Sequence, residues 1–180
     1  MPELIICGID PGPINNALAV VSHRGVEKLE LIELEDDLTR AASVWKATIR
    51  KYLRWYDPSF LAVEEYQWYG AYTKASRAIY ERIALVRSFS DEVLVEVIPA
   101  PEWQTAIVGE RAQGMGRGWS KPNYKRAVRA ALCLRLKTMG VDGEVLLGPD
   151  KGGHLADSLG LSLYIFDKHR IMRNIHVMQS

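Results

Sequence analysis

Long apolar runs are missing from this chain of 180 residues. None approaches the roughly 20 residues that a membrane-spanning helix needs. The opening Leu4-Ile5-Ile6-Cys7 is also far too short to serve as a secretion signal. Cysteine is scarce, with only Cys7 in a buried-strand pattern and Cys133 in a helical one. Both are expected to be reduced core thiols of a cytoplasmic protein (host cytoplasm, were the source viral), not a disulfide or zinc framework. Net charge is close to nil at +1, so the total says nothing about a polyanionic partner. Repeats, low-complexity tracts and linkers are absent, and 48% hydrophobic residues suffice for a real core. The expectation is one domain over 1–180.

What is present is a pattern of acids at the ends of apolar segments. Leu4-Ile5-Ile6-Cys7 reads as a strand buried on both faces and leads into Gly8-Ile9-Asp10-Pro11-Gly12. A carboxylate there is costly to desolvate unless paired, hydrogen-bonded or metal-bound, although an Asp-Pro-Gly turn would use the same residues. Phe60-Leu61-Ala62-Val63 likewise leads into Glu64-Glu65. Alternation places Glu64 with Phe60 and Ala62, and Glu65 on the opposite face, so one acid can work while the other is solvated. Glu64 is taken as the working residue. The third site follows Asp150-Lys151-Gly152-Gly153, where Leu155, Leu159, Leu163 and Phe166 form a helical stripe. His154 and Asp157, three apart, project from one side of that helix start. Ala156 and Gly160 are small enough to let the helix approach a sheet.

The rest supplies a scaffold. Strands are read over 16–22, 26–35 and 93–98, and helices over 37–56, 71–88 and from Lys121 onward. The first helix stripe is Leu38, Ala42, Trp45, Ile49 and Leu53; that of the helix from Lys121 is Val128, Leu132 and Leu136. A three-stranded antiparallel opening followed by alternating helix and strand predicts an α/β domain, its five-stranded mixed sheet flanked by helices on both faces.

If the strands are adjacent and the last helix covers their ends, Asp10, Glu64, His154 and Asp157 converge. Oxygen donors with one imidazole suit Mg²⁺ or Mn²⁺ better than zinc. Two such ions about 4 Å apart serve in-line phosphodiester hydrolysis, which points to a nuclease. Ile9-Asp10-Pro11-Gly12, Ala62-Val63-Glu64 and Ala156-Asp157-Ser158-Leu159 resemble, in order and spacing over residues 4–166, the signature blocks of the RuvC family of Holliday-junction resolvases, within the RNase H-like superfamily. The resemblance implies metal binding by Asp10, Glu64, His154 and Asp157, where many relatives carry aspartate in place of His154. It also implies a homodimer that nicks a four-way DNA junction symmetrically in recombination and repair.

Charge distribution agrees with a DNA partner. From Arg111 to Lys137 there are eight basic residues and no acid, a footprint suited to phosphate binding, although a solvated basic face has the same composition. Arg111, Arg117, Lys121, Lys125 and Arg126 are the candidate contacts. Lys121 also matches a basic position of the family and could stabilise transition-state charge. Gln113-Gly114-Met115-Gly116 is not a nucleotide-binding loop, since no strand precedes it and no Gly-Lys-Ser/Thr follows, so no nucleotide cofactor is expected. The chain is also too short for the two-domain sugar-kinase and actin-like folds. Two departures from the family stand out. Gln104 occupies a frequent lysine position, and Trp68-Tyr69, which could stack on an opened base or simply pack, are shifted by about a residue. The alternatives are another RNase H-like nuclease, cutting RNA–DNA hybrid or branched DNA, and a non-catalytic junction-binding module.

Overall fold

The computed structural model describes residues 3–66, 72–109, 121–148 and 152–178, with 121–123 and 173–178 as backbone only. Its centre is β1 (Ile6–Asp10), every residue of which is buried, as its uninterrupted apolar character requires. β1 pairs antiparallel with β2 (Asn15–Ser22), from Ile6↔Val21 to Asp10↔Ala17. On its other side it pairs parallel with β4 (Phe60–Glu65), from Ile6↔Phe60 to Ile9↔Val63. β3 (Gly25–Glu33) closes one edge antiparallel to β2, and β5 (Leu94–Pro99) closes the other parallel to β4. The order β3-β2-β1-β4-β5 is the expected five-stranded mixed sheet.

Helices cover both faces. Cys7, Ile9, Leu61 and Val63 pack against α1 (Leu38–Tyr56) and α2 (Lys74–Arg87). Ile6 and Ala62 face α3 (Ala100–Val108), α4 (Lys121–Thr138), α5 (Gly143–Leu147) and α6 (His154–Met178). Local chemistry sets the boundaries. The Asp37 carboxylate accepts from the N–H groups of Thr39 and Arg40, while Thr73 and Ser76 form a reciprocal capping box. No helix of the described residues is long and apolar enough to cross a membrane.

Two packing details differ from the sequence reading. The buried stripe of α1 is Ala41, Trp45, Ile49 and Tyr52, in place of Ala42 and Leu53 at its flanks. Tyr52 can turn inward because its hydroxyl donates to Glu30 Oε2 at 2.6 Å, so the ring is buried without stranding its polar tip. The close approach of α6 to the sheet is made at Gly8, not at Gly160. A Cβ on Gly8 would lie 2.2 Å from Ser162 Oγ and 2.5 Å from the Ser158 carbonyl oxygen, whereas one on Gly160 would strike the Trp103 ring at 2.4 Å.

Candidate active site

Asp10 is the last residue of β1 and Glu64 stands one pair beyond Val63, the partner of Ile9. Parallel pairing therefore brings both acids to the same end of neighbouring strands. Side-chain alternation aims them at the α6 face, where Phe60 and Ala62 already pack. The first turn of α6 lies over them. His154 Nδ1 stands 2.6 Å from Asp10 Oδ2, and Asp157, buried at 7% exposure, follows one turn later. Glu65 is exposed on the other face, as the alternation requires.

Each acid is held by a donor from the protein. Asp10 has the imidazole of His154. Asp157 Oδ2 lies 3.4 Å from Lys125 Nζ, whose ammonium also donates to the Gly152 carbonyl at 2.5 Å. Glu64 Oε2 accepts the indole N–H of Trp103 at 3.0 Å. Burial is the main reason that the Glu64 carboxyl is held well above the usual carboxylate range; the charges of Asp10 and Asp157 add to it, while Trp103 and Lys125 oppose it. Asp157 is pushed up to about 7, again first by burial and then by Asp10, against the pull of Lys125 and His154. Three carboxylates thus crowd one small, poorly solvated space.

That donor set fits a hard divalent cation, because positive charge among these oxygens would relieve both the mutual repulsion and the desolvation. Among the described residues, no three carboxylate, imidazole or thiolate side chains stand ready-converged on a single metal position.

Neither a family model nor a curated protein matches the sequence. Solved structures do match the fold. RuvC of Thermus thermophilus is 19% identical, with a TM-score of 0.70 covering 93% of this chain and 96% of that one. The yeast mitochondrial Holliday junction resolvase Ydc2 is 8% identical, with a TM-score of 0.62 over 88% of this chain and 76% of its own. Fowlpox virus resolvase, solved with junction DNA, is 15% identical, with a TM-score of 0.54 over 91% and 99%. The chain has the RuvC-like, RNase H-like fold.

Within this RuvC-like fold, Asp10, Glu64, His154 and Asp157 come together from β1, β4 and α6, joined by Lys125 from α4. Lys121 is the first residue of α4, and its side chain lies outside the described residues, as do Arg111, Arg117, Trp68 and Tyr69. Arg126 is exposed on α4. Part of the basic run serves the protein's own acids: Arg129 bonds Glu144 and the Gly148 carbonyl, and Arg135 pairs with Asp167 at 2.8 Å. Trp103 was not anticipated. It is fully buried, sits in the space left by Gly160, and orients Glu64. The sequence signal was a glycine inside an apolar helix, which marks a close neighbour but not which one.

Proposed function

We propose that this chain is a metal-dependent endonuclease that resolves four-way DNA junctions by paired, symmetric nicks, acting in recombination and repair. The observation that carries the reading is the crowding of Asp10 and Glu64, at adjacent strand ends, with Asp157 and His154 from the first turn of α6. Asp10, Glu64, His154 and Asp157 are the residues that would hold two Mg²⁺ or Mn²⁺ ions. Bound there, such ions supply an activated water near neutral pH and stabilise charge on the departing 3′-oxygen.

The chain's own residues prepare that chemistry. Trp103 favours the ionised form of Glu64 and fixes its orientation. Lys125 does the same for Asp157 and ties α4 to the Gly152 turn ahead of α6. Lys121, one turn earlier on α4, is assigned to the phosphate beside the scissile bond, with Arg111, Arg117 and Arg126 on the flanking backbone and Trp68 or Tyr69 against an opened base. A two-fold substrate calls for two such sites at fixed separation, so the working form is a homodimer. Support for the junction as substrate comes from the neighbours of this fold, among them Thermus RuvC solved with a Holliday junction substrate and the fowlpox enzyme with junction DNA.

The test is a panel of labelled four-way junction, flap, linear duplex and RNA–DNA hybrid incubated with Mg²⁺ or Mn²⁺. Cleavage of the junction alone is expected. Cleavage of hybrid or flap in its place would keep the metal chemistry and discard the substrate. Junction binding without cutting under either metal would leave a binding module.

A further inference from the structure

Helix α1 carries a charge that the proposed site does not use. All its charged residues are basic (Arg40, Lys46, Arg50, Lys51 and Arg54), and all are exposed. Ala41, Trp45, Ile49 and Tyr52 occupy the buried side. At about 100° per residue the cations therefore fall on the opposite half of the helix. Among the described residues, only Arg40 of the five stands in an ion pair, with Glu35 at 3.6 Å. Asp57 and Glu92 share a hollow with Arg50 and Arg54, and Glu30 lies close enough to Lys51 to feel its charge. Beside it Trp55 is 65% exposed, with Lys51 Nζ 4.3 Å from its ring centre.

We propose that the exposed face of α1 is a second DNA-contact surface, gripping the phosphate backbone of a duplex segment other than the one that enters the acid cluster. From Arg40 to Arg54 the helix rises roughly 21 Å. That is the span of about six phosphates along one strand of a duplex. The acid cluster lies on the α6 face of the sheet and α1 covers the other face. One straight duplex does not serve both, whereas a branched substrate offers separate arms. A lipid surface fits less well, because the apolar side of α1 is already committed to the core and only Val44 and Trp55 remain as large exposed apolar groups. The choice of DNA as the polyanion rests on the function proposed above.

The experiment measures binding of four-way junction and linear duplex by fluorescence anisotropy across a salt series, in EDTA, in an Asp10→Asn background that keeps the DNA intact. Lys46→Gln, Arg50→Gln, Lys51→Gln and Arg54→Gln are combined, and the pairs 46/50 and 51/54 are made separately in case the quadruple variant fails to fold. Each lost phosphate contact flattens the salt slope by about 0.9, so four contacts make the parent about 100-fold more salt-sensitive than the variant between 50 and 200 mM. Each pair is expected to show about half the slope change. Unchanged slopes, or a variant that instead loses binding to phosphatidylserine vesicles, would overturn the inference. Absence of DNA binding by the parent would also overturn it. If the parent binds DNA with the predicted slope change yet the native chain cuts nothing, the nuclease reading fails and the α1 surface stands.

Discussion

Replacing Asp157 by asparagine should stabilise the protein at alkaline pH while abolishing cleavage. Asp157 is raised from an ordinary value of 3.8 to about 7, mainly by burial and then by the charge of Asp10. The folded state therefore holds this proton to higher pH than the unfolded chain does. Stability from this group is complete below pH 3.8 and is lost as pH rises through 7. At about 1.4 kcal/mol per tenfold, the loss between pH 4.5 and 8 amounts to about 3 kcal/mol. Asparagine keeps the shape and cannot ionise, so the variant escapes that loss. The attraction of half-exposed Lys125 already holds Asp157 down to about 7, so no further loss is counted for it. In EDTA, the two proteins should melt within a few degrees of each other at pH 4.5. At pH 8 the variant should be ahead by about 3 kcal/mol, or roughly 6–12 °C for a chain of this size. Urea denaturation at both pH values, with thermal melts alongside, measures it. A variant less stable than the parent at pH 8, or a difference that does not change with pH, would refute the picture of a repelling acid cluster.

Three further outcomes follow from named contacts. Gly8→Ala must push α6 away from β1 against the Ser158 backbone, and should cost about 2–3 kcal/mol in urea denaturation; Ser162→Ala in the same chain should recover only part of it, since the serine hydroxyl is one of two obstacles. Trp103→Phe keeps most of the ring but removes the N–H on Glu64, and should cost about 1–3 kcal/mol and lower kcat more than it raises KM, read from steady-state cleavage. His154→Asp places a fourth carboxylate beside Asp10 and should lower the ratio of Mn²⁺-supported to Mg²⁺-supported rates, because imidazole is the softer ligand; an unchanged ratio in parallel assays would count against imidazole ligation.

The acids were legible in the sequence because each ends a segment with a clear period. The apolar run before Asp10 reads as a strand buried on both faces, and alternation alone separates Glu64 from Glu65. The i, i+3 spacing placed His154 and Asp157 on one side of α6, and Val128, Leu132 and Leu136 were legible as the buried stripe of α4. Contacts between elements distant in sequence were not legible. Gly160 showed that α6 has a close neighbour, but only the packing of α3 identifies Trp103. Lys125 is one of eight basic residues in its stretch, and only the packing of α4 beside α6 shows that it reaches Asp157. Tyr52 displaces Leu53 from the core because Glu30, on β3, accepts its hydroxyl. The unbroken basic composition of 111–137 overstated its free charge, since Arg129 and Arg135 pair with acids from elsewhere in the chain.

The central claim is that Asp10, Glu64, His154 and Asp157 act as one phosphodiester-cleaving site on a two-fold DNA substrate. The most direct measurement maps cuts at nucleotide resolution on a four-way junction labelled in turn on each strand, with Mg²⁺ or Mn²⁺, for the native chain and for Asp10→Asn. Paired nicks at symmetry-related positions, leaving 5′-phosphate ends and absent with Asp10→Asn, are the predicted result. Cuts that persist in Asp10→Asn, or a junction left whole by the native chain with both metals, would contradict the account.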